Sequence, residues 1–159
     1  MTEPTGVKAD IVRYTEEYSE VVRCWIDSEE TYFTVCRGKD FPPPEDVVDS
    51  WQREGVSSFL LFANRQPVAY GELWPRPAER AVEINHVIVD QYKRLQGYGT
   101  KTLQLLYERA AERPHIIKVV INLYGDSQAA LGCYVKAGFE LYGTSPHTMG
   151  LRMMRMVKR

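Results

Sequence analysis

At 159 residues, with 44% hydrophobic and 26% charged side chains, the chain has the size and balance of one globular domain that buries its core without staples. A net charge of −1 gives no general attraction to nucleic acid or to an anionic membrane, and no apolar run approaches the length that crosses a bilayer. Cys24, Cys36 and Cys133 are an odd set without a CxxC pair, and with His86, His115 and His147 they form no zinc-ligand spacing; reduced thiols, a cytoplasmic setting and no metal are expected.

Residues 9–14, "ADIVRY", alternate as a first strand. Over 15–35, Tyr18, Val21, Val22, Trp25 and Ile26 recur at helical spacing behind Thr15, a residue suited to cap a helix start. Three successive prolines, Pro42 to Pro44, make 38–46 a loop, since proline carries no amide hydrogen. Residues 44–55 predict a short helix ending at Gly55. "SSFLLFA" (57–63) and "PVAYGELW" (67–74) flank a hairpin-length turn, and "RAVEINHVIVD" (80–90) follows a proline-broken one, as in an antiparallel meander. From 97 to 113, Leu103, Leu106, Tyr107 and Ala110 form one helical stripe that Pro114 stops. "HIIKVVINL" (115–123) reads as a strand. Residues 126–139 read as a helix opened by Asp126 or Ser127 and closed by Gly138, and 139–143 and 148–157 as final strands. The order β-α-α-β-β-β-α-β-α-β-β predicts an α/β fold with helices on both faces of a mixed sheet.

In "VIVDQYKRLQGYGTK" (87–101) a strand passes through a glycine turn into a helix. A helix N-terminus carries free N–H groups and partial positive charge, so this junction is a cradle for an anion. Gly97 and Gly99 allow close backbone approach, and Arg94, Thr100 and Lys101 add charge and a hydroxyl donor. Neither GxxxxGK[ST] nor GxGxxG is present; the third glycine of the latter is Thr102 here. On the glycines alone, a purely structural turn and a phosphate cradle are both open.

The longer stretch "VIVDQYKRLQGYGTKTLQLL" resembles the acetyl-CoA-binding motif Q/R-x-x-G-x-G/A of the GNAT superfamily of N-acetyltransferases, carried by Arg94, Gly97 and Gly99 after a strand ending at Val89. "DSQAALGCYVKAGFELYG" (126–143) resembles the superfamily's second signature, and the resemblance spans 67–157, with the first 60 residues matching only in outline. It implies a single domain over 1–159 with a GNAT-type three-layer α/β sandwich around a mixed, mostly antiparallel sheet, and acetyl-CoA as co-substrate. It places Arg94, Leu95, Gln96, Gly97, Tyr98, Gly99 and Thr100 at the CoA pyrophosphate, mainly through backbone N–H groups. The backbone of Val87, Ile88 and Val89 would pair with the pantetheine amides like an added strand. Ser127 stands where many members hold a pantetheine-contacting asparagine.

The resemblance also makes Tyr134 the general acid that protonates the departing thiolate; packing of an aromatic on the sheet is the alternative. Glu83, six residues before Val89, matches the glutamate base of the histone lysine acetyltransferase branch, with a surface carboxylate paired to a cation as the alternative and Glu72 as its rival. Strict alternation places Glu83, Asn85, Val87 and Val89 on one face and His86 on the other. Asn122 stands where acetyltransferases of ribosomal-protein N-termini hold a glutamate, and cannot act as a base.

The acceptor site in this superfamily is built from the first helices and the last hairpin, here 23–48 and 141–154. Asp27, Glu29, Glu30, Asp40, Glu45 and Asp46 beside Trp25, Tyr32, Phe33 and Phe41 suit a cationic amine, or else form a solvated face. The expected function is acetyl-CoA-dependent N-acetylation of a small cationic amine. Alternatives are a protein lysine or N-terminal acetyltransferase and a non-catalytic acyl-CoA-binding module; a homodimer is compatible with each.

Overall fold

The period-two runs pair into one sheet and the helical stripes cover its two faces. In the computed structural model, which describes residues 8–124, 127–144 and 150–158, the strands are β1 (Asp10–Arg13), β2 (Ser57–Ala63), β3 (Gln66–Arg76), β4 (Ala81–Val89), β5 (Lys118–Leu123), β6 (Glu140–Thr144) and β7 (Leu151–Met156). Their order in the sheet is β1-β2-β3-β4-β5-β7-β6, and only the β4–β5 pair is parallel. The helices are α1 (Ser19–Cys24), α2 (Glu29–Cys36), α3 (Val47–Trp51), α4 (Tyr98–Ala111) and α5 (Gln128–Lys136). None of the described helices is long and apolar enough to cross a membrane.

The single helix expected over 15–35 is two. Ser28 is extended (φ −161°, ψ 165°) and its hydroxyl accepts from Thr31 N, so it caps a new helix instead of continuing the old one. The helix expected over 44–55 is shorter, because Gln52 turns extended before Gly55 is reached. At α5, Ser127 is the N-cap, its hydroxyl accepting from Ala130 N; Asp126, the other capping candidate, lies outside the described residues.

Leu103, Leu106, Tyr107 and Ala110 of α4 pack on Val82, Ile84, Val119, Ile121, Phe139 and Met153, one face of the sheet. Val22, Trp25, Ile26, Val35, Val48 and Trp51 of α1–α3 and their connections cover Leu60, Tyr70 and Ile88 on the other. Trp25 and Tyr32 are therefore core residues, 4% and 7% exposed, and do not line an entrance as the sequence pattern suggested.

One irregularity organises the centre. Glu72 pairs with Asn85, but Tyr70 pairs with Ile88, so the single residue Gly71 faces both His86 and Val87. His86 takes φ 52° there, a β-bulge that reverses the alternation. Val87 and Val89 consequently turn toward α4, while Glu83, Asn85, His86 and Ile88 face α1–α3. The expectation that Glu83, Asn85, Val87 and Val89 share one face, with His86 opposite, is corrected by this extra residue. Beyond the bulge β4 also loses a neighbour: its pairing with β5 ends at Ile84–Ile121, leaving the 85–89 edge without a strand partner on that side among the described residues.

Candidate active site

The freed edge of β4 and the N-terminus of α4 meet at a cleft of about 660 Å³, lined by Asn85–Val89, by the 93–100 turn, and by residues of β5 and α5. Gly97 has φ 87°, the left-handed conformation that a side chain disfavours, and it turns the chain into α4. Helix α4 follows at once, so its first amides open on the cleft with no acidic side chain in the first turn. A Cβ added at Gly99 would stand 3.3 Å from Cys133 Sγ and 3.9 Å from Val89 Cγ2, so the glycine allows α4 to start close against α5 and β4.

Most of the residues predicted to hold the cofactor line this cleft: Val87, Ile88, Val89, Arg94, Leu95, Gly97, Tyr98, Gly99, Thr100 and Ser127. Gln96 does not, and is exposed. Leu95 is fully exposed at φ 64°. Lys101, expected to add charge beside the turn, is instead 6% exposed and buried in the helix packing. Arg94 forms a two-pronged contact with Asp27, Nη1 and Nη2 each 3.4 Å from a carboxylate oxygen. It ties the turn to the α1–α2 connection and uses an acidic residue that the sequence pattern assigned to the acceptor entrance.

Glu83 is 5% exposed and fully engaged. Its Oε1 accepts from Arg76 Nε at 2.8 Å; its Oε2 accepts from Asn85 Nδ2 at 2.7 Å and Asn122 Nδ2 at 3.2 Å. It is thus a carboxylate with an arginine partner, as one sequence reading had it, but buried and not on the surface. Glu72, the rival, has no exposed surface. It accepts from the Tyr70 hydroxyl and from Trp74 Nε1 at 2.7 Å. His86 Nδ1 lies 2.8 Å from Glu72 Oε1 without hydrogen-bond alignment, and its ring stacks on Trp51 at 4.4 Å. This cluster stabilises the bulge from beneath.

Tyr134, on α5, lines the cleft while its ring packs against the core. Burial, then the neighbouring Cys133 and Tyr124, raises its pKa well above the ordinary phenol range, so the hydroxyl keeps its proton. Tyr124, just past β5, is raised by burial and by the Glu83 carboxylate, so it stands electrically between Glu83 and Tyr134. Tyr124 and Arg76 are site residues that sequence reasoning missed. The one signal for Tyr124 was its i+2 position from Asn122 along β5; Arg76 carried none, since its partner is set by hairpin register.

Comparison with known proteins agrees with this geometry. Residues 14–139 match the model of the acetyltransferase (GNAT) family. Over 103 residues the chain is 25% identical to the aminoglycoside N(6')-acetyltransferase type 1 of Klebsiella pneumoniae, a match covering 58% of this chain and 51% of that protein. The matched segment thus spans about half the length of this curated relative. The fold superposes on aminoglycoside acetyltransferase AAC(6')-Ib, solved with coenzyme A and kanamycin, with a TM-score of 0.77 and 20% identity, covering 94% of this chain and 95% of that one. It also superposes on spermidine N-acetyltransferase from Vibrio cholerae, solved with CoA and spermine, with a TM-score of 0.76, 10% identity and coverage of 94% and 95%. With the family model covering most of the sequence, and the parted β4–β5 edge beside a glycine-turned helix start, the chain belongs to the acetyltransferase (GNAT) family.

Proposed function

We propose that the chain is an acetyl-CoA-dependent N-acetyltransferase that acts on the primary amine of a small molecule. The observation that carries this reading is the juxtaposition of an unpaired strand edge, 85–89, with the α4 N-terminus in one cleft that also holds Tyr134. The edge offers backbone groups to pantetheine amides, and the amides at the start of α4, with Arg94, offer donors to a diphosphate. Gly99 lets α4 begin close against Cys133 of α5 at the edge of the cleft, where a Cβ would press on its sulfur.

Acetyl-CoA, when bound, supplies an acetyl group activated as a thioester. The chain must supply a neutral amine and a proton for the departing sulfur. Glu83 Oε1 accepts one hydrogen bond, from Arg76, and retains a second lone pair for the amine proton, taken directly or through water. Tyr134 Oη, held protonated by its surroundings, is the donor on the other side. The relatives act on aminoglycosides and on spermidine by name, which supports a small amine that arrives as a cation. Glu30, which lines the cleft, favours the same charge at its mouth.

The test is thiol release with DTNB across a panel of small amines and short peptides, with acetyl-CoA binding measured alongside by calorimetry. Turnover of small amines is expected. Tight acetyl-CoA binding without turnover of any acceptor would favour a binding module, and turnover of peptides alone would favour a protein acetyltransferase.

A further inference from the structure

The sheet face that carries Glu83 is more basic than a site for a simple cation should be. Along β5, Lys118, Val120 and Asn122 share that face, and Arg152 on β7 is the cross-strand partner of Asn122, which hydrogen-bonds Glu83. Arg76 reaches Glu83 from β3. Arg37, at the left-handed end of α2, lies with its guanidinium carbon 5.5 Å from the centre of the Tyr124 ring. Facing these four cations among the described residues are Glu83, Glu79, which is 3.2 Å from Arg152 and 3.8 Å from Lys118, and the buried Glu72, whose oxygens are taken up by Tyr70 and Trp74.

One buried donor and one buried acceptor of this cluster, Arg152 Nε and Asn122 Oδ1, have no partner among the described residues. Among the described residues, Arg37 lies over the rings of Phe33 and Tyr124 and has no carboxylate partner. Arg152 directs Nη2 to Glu79, yet its Nε is buried with no hydrogen-bond partner among the described residues. Arg76 uses Nε for Glu83. A buried donor without an acceptor is costly, and a guanidinium fork matches a carboxylate. Of the acidic residues that would draw a polyamine, Asp27 is held by Arg94 at the cofactor turn, which leaves Glu30 at the cleft.

We infer that the acceptor carries a carboxylate close to its primary amine, as an amino acid does, and that Arg152, Arg76 and Arg37 hold this carboxylate while Glu83 receives the amine. The inference rests on the acetyl-transfer reading and narrows its acceptor. A fully cationic polyamine leaves the arginine donors unmet; a zwitterion places each charge against its complement.

The experiment compares the standard amino acids with the matching amines that lack the carboxylate, each with saturating acetyl-CoA. The carboxylated member of the preferred pair is expected to show a kcat/KM at least ~10-fold higher, the scale of one charge-assisted hydrogen bond. Arg152→Gln and, separately, Arg37→Gln should each shrink that ratio by ~10-fold; Arg37 is exposed, so its variant reports even if Arg152→Gln misfolds. Calorimetry with N-acetyl amino acids reads the carboxylate site without turnover, and binding heat that is lost in the variants supports it. Equal turnover of bare amines and amino acids, or a ratio unchanged in both variants, overturns the inference while leaving acetyl transfer standing. Carboxylate binding without acetyl transfer would instead count against the acetyl-transfer reading alone. No binding heat and no turnover of either class would overturn both.

Discussion

Arg76 Nε donates a 2.8 Å hydrogen bond to Glu83 Oε1, fixing a buried carboxylate on the sheet face that the bulge at His86 separates from Val87 and Val89. Arg76 on β3 pairs with Ala81, two residues before Glu83, so the contact closes across the end of the β3–β4 hairpin. With Asn85 and Asn122 on Oε2, the carboxylate has one orientation only. Glu83→Gln keeps the size but removes the proton acceptor. It should lower kcat by ~10²-fold, the usual worth of a positioned base, with acetyl-CoA affinity nearly unchanged. Steady-state kinetics with calorimetry checks this; near-normal turnover would strip Glu83 of the role.

Tyr134→Phe should also lower turnover by ~10²-fold or more with little change in acetyl-CoA affinity, as loss of an acid does. Because burial lifts the phenol above its ordinary range, wild-type kcat should show no falling limb from this group near pH ~10, where a free tyrosine ionises. A pH–rate profile that falls there, and loses the fall in the Phe variant, would contradict the assignment.

Gly99→Val puts a branched side chain where even a Cβ stands 3.3 Å from Cys133 Sγ. The acetyl-CoA constant should rise ~10-fold or more, since the crowded side chain must displace Cys133 or the start of α4 that faces the cleft, while kcat at saturation is affected less. An unaltered cofactor constant would move the diphosphate away from this turn.

Gly71 lies opposite the bulge with no room for a side chain: its Cβ would meet Leu106 Cδ1 at 2.6 Å and Val87 Cγ2 at 3.4 Å. Gly71→Ala should cost about 1–3 kcal/mol through overpacking. Each kcal/mol corresponds to about 2–4 °C in Tm for a chain of this size, which differential scanning calorimetry resolves. An unchanged Tm would show that α4 yields at no cost.

Alkali should unfold the chain early. Burial, followed by the charge of Asp49, raises the Tyr14 pKa to about 12, and burial with the Glu72 charge raises that of Tyr70 further. Unfolded tyrosines ionise near pH ~10, so above that value the unfolded state binds fewer protons than the folded one. Stability from these groups is therefore intact below pH ~10 and falls as the pH rises past it. Melts followed by circular dichroism at pH ~8 and ~11 should show the drop, and Tyr14→Phe should reduce it.

Local pattern suffices for much of this molecule. The period-two runs at 57–63 and 80–90 and the stripe from Leu103 to Ala110 place β2, β4 and α4 within a residue or two, because burial on one face imposes its period on the chain. The turn at Gly97 and the cap at Ser127 are equally legible, since each depends on its own backbone conformation or on the next three residues. The break at Ser28 was hidden inside a helical spacing that continues across it.

Pairing between distant segments accounts for the rest. Whether Val87 faces the same way as Glu83 depends on Gly71, sixteen residues away in β3, and a one-residue change of register moves every following side chain to the other side. The partners of Glu83 come from β3, β4 and β5, and the cations around Tyr124 and Asn122 come from α2, β3 and β7. Their meeting is a property of the closed sheet. No periodicity along one strand encodes it, because electrostatic partners are selected by distance in space and not by spacing in the chain.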